Sequence, residues 1–246
     1  MGWMSFPAGS DQPPPVNPGD IDDRRSGMAA VLAPKSCLIV AVDGGAASGK
    51  TTICTALARG LDFPYFNTGL IFRGLTLSCL THLRNVENED DVASELESAD
   101  LQVEIHDLST RIILSGVDVT EELMSAIVTE SVSAVASHSR IREEMTRIQR
   151  AVAKRICAEA DGVVVDGRDA TSVVWPDARF RFLMVPDDGE QVRVGEDVAS
   201  RNHADSKVAE FSAPARGVIP LRTTRANLQQ VGQQILDLIW SSEEPG

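Results

Sequence analysis

Cys37-Leu-Ile-Val-Ala-Val-Asp43-Gly44-Gly45-Ala46-Ala47-Ser48-Gly49-Lys50-Thr51-Thr52 is the stretch that decides the fold. Its first half is a short continuous apolar run, the pattern of a strand buried on both faces. Gly44 to Thr51 then satisfies GxxxxGK[ST] without adjustment. Glycines let the backbone turn its N–H groups inward around phosphates, and the helix that follows adds the positive end of its dipole. That helix is expected over Thr51–Leu61, where Ile53, Ala56, Leu57 and Leu61 recur at helical spacing. Strand, loop and helix in this order are the context in which the motif binds a nucleoside triphosphate. Lys50 is then expected to bridge the β- and γ-phosphates, and the Thr51 hydroxyl to bind Mg²⁺.

Working outward, Gly162-Val-Val-Val-Asp166 reads as a second buried strand, Phe180–Val185 as a third and Gly217–Leu221 as a last one. Ser139–Ala158 carries an apolar stripe of Ile141, Met145, Ile148, Val152 and Ile156, and Ala226–Trp240 is expected to close the chain as a helix. Alternating strands and helices imply an α/β fold, a parallel β-sheet core with helices on both faces. Between them the pattern changes. Leu101, Val103 and Ile105, then Ile112 and Leu114, alternate as a β-hairpin does, with Gly116–Thr120 as its closing turn. Thr120-Glu-Glu-Leu is expected to cap a helix. Asn85–Ala99 is acidic and reads as a loop and a helix. A small antiparallel lobe inserted at about 83–132 follows, in a core spanning 35–241. Asp166 ends its apolar run where a carboxylate would reach the metal. Asp43 has two open readings, a hydrogen-bond partner of the loop amides or a group near the metal.

Composition narrows the function. Of 246 residues, 43% are hydrophobic, enough for a core, and 24% are charged. A formal net charge of −13 disfavours nucleic acid as a partner, because such a surface repels phosphate backbones. No apolar run is long enough to span a bilayer, so no membrane partner is expected, and a cytoplasmic monomer is. Cys37, Cys54, Cys79 and Cys157 form no CxxC pair and read as reduced thiols, with no structural metal. Residues 1–34, with prolines at 7, 13, 14, 15 and 18, read as a disordered tail, and Met28 is an alternative start.

Several ordered segments together resemble the bacterial cytidylate kinases. They are the phosphate loop with Val42-Asp43, Asn67-Thr-Gly-Leu-Ile-Phe-Arg73, Ile113–Thr120, Ser133–Ala136 with Arg140-Ile-Arg142 and Gln149-Arg150, and Asp166-Gly-Arg-Asp169 with Val173–Ala178. The resemblance runs from about residue 36 to 185 and resumes weakly over 217–240. It implies a P-loop nucleoside-monophosphate kinase that moves the γ-phosphoryl group of ATP to CMP or dCMP, with Mg²⁺. It further implies that Arg73, helped by Thr68, holds the acceptor phosphate. Ser133, Arg142, Arg168 and Asp169 would then contact the cytosine and its sugar-phosphate. The nucleophile is an ionised phosphate oxygen, so no general base is needed and catalysis is alignment plus charge cancellation.

Departures from the family pattern are local. Asn67 stands for an Asp, Met124 for an arginine, and Ala170-Thr-Ser172 for a residue followed by Gly-Thr. A reduced lid is expected at about 187–210, where Arg201, Asp205 and Lys207 stand for an arginine-rich motif and Arg193 could contribute. Arg201 and Lys207 would bring positive charge to the transferring group, and Asp205 would help to hold substrate. A lysine supplies charge without the bidentate fork of arginine. The first reading is an active (d)CMP kinase. Its rivals are a nucleotide-binding relative with weakened transfer, acting as sensor or interaction module, and a P-loop kinase for another small acceptor.

Overall fold

The computed structural model describes residues 37–45, 48–186, 214–224 and 226–242. The tail at 1–34, the lid at 187–210 with Arg193, Arg201, Asp205 and Lys207, and Ala46 and Ala47 of the phosphate loop lie outside them.

Strand β1 (Leu38–Gly44) is the centre of a five-stranded, wholly parallel sheet. Helix α1 (Lys50–Leu61) follows it, then β2 (Tyr65–Asn67) and α2 (Gly69–Thr81). Later come α3 (Glu89–Ser98), α4 (Ala126–Ser137), α5 (Ser139–Ile156), β6 (Gly162–Gly167), β7 (Phe180–Pro186), β8 (Ile219–Thr223) and α6 (Leu228–Ser241). With β3 (Leu101–His106), β4 (Ser109–Leu114) and β5 (Val117–Asp118) forming a separate antiparallel sheet, the large sheet runs β2-β6-β1-β7-β8.

The continuous apolar runs are explained by two cores, one on each face of the sheet. Successive side chains of a strand point to opposite faces. Val40, Val42 and Val164 therefore pack with Ile53, Leu57 and Ile235 under α1 and α6. Ala41, Val163 and Val165 pack with Ile71, Leu75, Ile141 and Met145 under α2 and α5. Helix α2 carries no sequence signal because it is covered by more than one neighbour. Gly74 lets it approach the small sheet so closely that an added Cβ would lie 2.8 Å from Ile112 Cγ2.

Three expectations need correction. Val117–Asp118 does not just close the hairpin: the chain turns at Ser115-Gly116, both with positive φ, and adds β5 as a third strand. Thr120 does not cap a helix. Its hydroxyl donates to Asp118 Oδ1 and accepts from the Ile112 N–H, so it fastens the turn back to β4. Only a 3₁₀ turn, Glu122–Met124, precedes α4. Lastly, Cys37 and Cys157 are not reduced thiols but a disulfide, with Cα atoms 5.3 Å apart. A separation of 120 residues hides this pairing in the sequence. The parallel register sets Leu38 opposite Gly162, and the Leu38 N–H donates to Asp161 O at 2.8 Å, so the start of β1 meets the end of α5. Cys54 and Cys79 are free and buried, and burial pushes the Cys79 thiol up to about 12.

Candidate active site

The loop after β1 and the end of β6 meet because the two strands are register partners, Val42 beside Asp166 and Asp43 beside Gly167. Gly49 takes a left-handed φ of 78°, which glycine adopts without penalty, and turns the chain into α1. A Cβ there would lie 2.5 Å from Leu228, so α6 packs against the back of the loop. Thr223 adds a hydrogen bond to Ser48 O at 3.3 Å. Lys50, at the first turn of α1, sets its Nζ 2.6 Å from Asp166 Oδ1. The other carboxylate oxygen accepts from Tyr65 Oη at 2.8 Å and from Thr51 Oγ1 at 3.3 Å. Burial pushes the Tyr65 hydroxyl far above its ordinary range, so Tyr65 serves as a donor.

These are hard oxygen donors, a carboxylate and a hydroxyl, at the end of a phosphate loop. No group of three or more His, Cys, Asp or Glu side chains able to hold a metal occurs among the described residues. The carboxylate of Asp166 and the hydroxyl of Thr51 fit Mg²⁺, which is commonly held by one or two protein oxygens, with water and substrate phosphates completing its shell.

A cavity of about 310 Å³ adjoins this cluster. Lys50 and Asp166 line it, and so do Thr68, Arg73, Ser133, Arg142, Arg168, Asp169 and Met124. The fold thus brings together every predicted acceptor-side residue that lies among the described ones. Their engagements differ from a simple list of ligands. Arg73 donates to Leu123 O at 2.8 Å and to Thr129 Oγ1 at 3.0 Å, which ties α2 to the start of α4. Arg142 pairs with Asp169 at 2.8 Å. The Thr68 hydroxyl is committed to Asp166 O at 2.8 Å, so Thr68 joins the β2–α2 corner to β6. Asn67 Oδ1 accepts from the Gly69 N–H at 3.2 Å, holding that same corner. Arg150, part of the same sequence motif, braces the turn after Asp169 through Val173 O and Val174 O.

Among the described residues, Asp43 is engaged by the turn after Asp169 and not by amides of the phosphate loop. Its carboxylate accepts from the Ala170 N–H at 2.9 Å, the Thr171 N–H at 2.8 Å and Thr171 Oγ1 at 2.6 Å. Asp43 therefore holds the single π-helical turn Ala170–Val174 that follows Arg168 and Asp169. Burial raises its carboxyl to about 6, against the lowering effect of those hydrogen bonds. Sequence reasoning missed Tyr65. It stands in a strand of three residues, too short for a periodicity to register.

A phosphate loop leading from the central strand of a doubly covered parallel sheet, with a cationic cavity alongside, is the fold of a P-loop nucleoside-monophosphate kinase. Comparison with known proteins agrees. The model of one family, described as cytidylate kinase, matches residues 40–187. A cytidylate kinase of Halalkalibacterium halodurans is 30% identical over 220 residues, covering 81% of this chain and 96% of that protein. One of Bacillus cereus strain B4264 is 31% identical over 219 residues, covering 81% and 95%. One of Cutibacterium acnes is 32% identical over 220 residues, covering 83% and 96%. The chain belongs to the cytidylate kinase family, and it is a nucleoside-monophosphate kinase, a phosphotransferase. Among the described residues, no helix is long and apolar enough to cross a membrane.

Proposed function

We propose that this chain transfers the γ-phosphoryl group of ATP to CMP or dCMP, giving ADP and CDP or dCDP. The observation that carries the proposal is the shared lining of one cavity. Lys50, from the phosphate loop, and Arg73, Arg142 and Arg168, from the acceptor side, border the same space. A phosphoryl group held by the loop would there face a second phosphate held by arginines.

In this reading the amides of Gly44, Gly45, Ala46, Ala47, Ser48, Gly49, Lys50, Thr51 and Thr52 surround the triphosphate, and Lys50 leaves Asp166 to bridge the β- and γ-phosphates. Thr51 and Asp166 would hold Mg²⁺, which supplies neutralisation of the charge on the transferring phosphates. Arg73 fixes the acceptor phosphate in line with the γ-phosphorus, while Ser133, Arg142, Arg168 and Asp169 fix its nucleoside. The attacking oxygen is already ionised, so these residues supply orientation and charge and abstract no proton. Arg201 and Lys207 keep the role that the family resemblance gives them, bringing positive charge to the transferring group, and Asp205 keeps its own, helping to hold substrate.

ADP release measured with CMP, dCMP, UMP, AMP and GMP as separate acceptors tests the proposal. The cytidine nucleotides are expected to exceed each of the others in kcat/KM by at least about tenfold. Tight ATP binding with no transfer to any acceptor would favour a binding module instead. Strong transfer to a different acceptor would move the assignment to that nucleotide.

A further inference from the structure

We propose that Gln149 is a specificity residue of the acceptor site, whose side-chain carbonyl oxygen accepts a hydrogen bond from the exocyclic amine of the base. The inference rests on the cytidylate reading above and deepens it.

Gln149 stands on the buried face of α5, 2% exposed, among Met145, Val152 and Ala153. A residue there for packing alone would be apolar. Its side chain lines the cavity that also takes Arg142, two helical turns back on the same face. Its Oε1 is buried and finds no hydrogen-bond donor among the described residues. An acceptor left this way costs the equivalent of about ten- to a hundredfold in an equilibrium constant, which a bound ligand can return.

The chemistry of the free atom selects the ligand group. A carbonyl oxygen only accepts, and an ionised phosphate offers nothing to donate. The donors on a nucleoside monophosphate are its ribose hydroxyls and its base N–H groups. A cytosine presents an amine at C4, where a uracil presents a second carbonyl oxygen. An unpartnered carbonyl facing that position attracts the amine and repels the uracil oxygen, so one atom would reward one base and penalise the other. Arg73 and Lys50, being cations, suit the phosphate, and neutral Gln149 suits the neutral ring.

The test compares kcat/KM for CMP, dCMP, UMP and a 2-pyrimidinone nucleoside monophosphate, which is the cytosine nucleotide without its 4-amino group. It uses the full chain as wild type, Gln149→Leu and Gln149→Glu. In wild type, removing the amine is expected to lower kcat/KM about ten- to a hundredfold. Gln149→Leu should bring CMP down to the level of the amine-free analogue, so that their ratio approaches one. Gln149→Glu keeps an acceptor and should keep the preference for the amine. If Gln149→Leu does not fold, the analogue on wild type and the Gln149→Glu variant still decide. An amine worth less than about threefold in wild type overturns the inference, as does a CMP-to-analogue ratio unchanged in Gln149→Leu. A loss confined to the CMP-to-dCMP ratio would assign Gln149 to the ribose and equally overturn it. Failure of wild type to phosphorylate CMP at all is a different result, because it removes the substrate reading itself.

Discussion

The two halves of the site are built in opposite ways. On the donor side, one continuous stretch supplies the loop, Lys50 and Thr51, and a single strand pairing adds Asp166. On the proposed acceptor side, Arg73, Ser133 and Arg142 come from α2, α4 and α5 and Arg168 follows β6, and Arg73 and Arg142 are held by contacts distant in sequence. A local motif is robust to drift elsewhere in the chain. An assembled pocket depends on every element that frames it. Among the described residues the departures fall accordingly: Asn67 and Met124 line the cavity and Ala170–Ser172 follows Asp169, while the phosphate-loop motif is intact in the sequence.

Breaking the donor half should have the largest effect. Lys50→Ala is expected to lower kcat by roughly 10³-fold or more, since charge on the transferring group is then uncompensated. Asp166, 2% exposed, would keep the Tyr65 and Thr51 hydroxyls but lose its ion pair, so a fall in melting temperature should accompany the change. Turnover must therefore be read well below that temperature. Near wild-type turnover would remove the loop from the chemistry.

Arg73→Ala should act on one half only. The KM for the monophosphate is expected to rise about 10- to 100-fold while the ATP dissociation constant, from calorimetry, stays within about twofold. Equal losses for both nucleotides would mean that the contacts to Leu123 and Thr129 are all that Arg73 provides, and that it is a brace.

Asp43 joins the halves, because it stands next to last in β1 and holds the turn after Asp169. Asp43→Asn puts an amide donor against the Ala170 and Thr171 donors, so the monophosphate KM is expected to rise about three- to tenfold with ATP affinity little changed. Stability supplies a second readout. The folded carboxyl, at about 6, lies above its ordinary value of 3.8, so between these limits the folded chain binds the extra proton. Stability must then fall as pH rises from 3.8 to about 6, by about 3 kcal/mol from this group. The wild-type curve, measured against the asparagine variant, should show that downward slope. An identical slope in both proteins would place the titration elsewhere.

The smallest effect on turnover should come from the disulfide. Cys37 precedes β1, at the opposite end of that strand from the phosphate loop. Reduction, or Cys37→Ser, is expected to leave kcat at 25 °C within about twofold. The same change should lower the melting temperature by roughly 5–10 °C, since the closed loop is long. A large loss of turnover would show that strain crosses the sheet.

The same contrast explains what could be read in advance. The doubly covered sheet was legible from Cys37–Asp43, Gly162–Asp166 and Phe180–Val185, because burial on both faces writes itself as an unbroken apolar run. The phosphate loop was legible because the residues of its motif are consecutive. Helix α2 was not, since it is enclosed on several sides and shows no polar stripe. Tyr65, the role of Asp43 and the Cys37–Cys157 pair all depend on strand register, which no window of neighbouring residues contains. Thr120 carried a helix-cap pattern that a better partner, the β4 backbone, claimed. The acceptor residues were reached through family motifs, and their own spacing in the chain would not have assembled them.

The most direct test of the whole account is a competition. Wild-type chain, Mg²⁺ and ATP labelled at the γ-phosphate are mixed with equal concentrations of CMP, dCMP, UMP, AMP and GMP, and the labelled diphosphates are separated. The label is expected to pass mainly into CDP and dCDP, together at least about tenfold above the other products combined, with no comparable release of inorganic phosphate. Label found chiefly in another diphosphate, or remaining on ATP while ATP binds tightly, would contradict it.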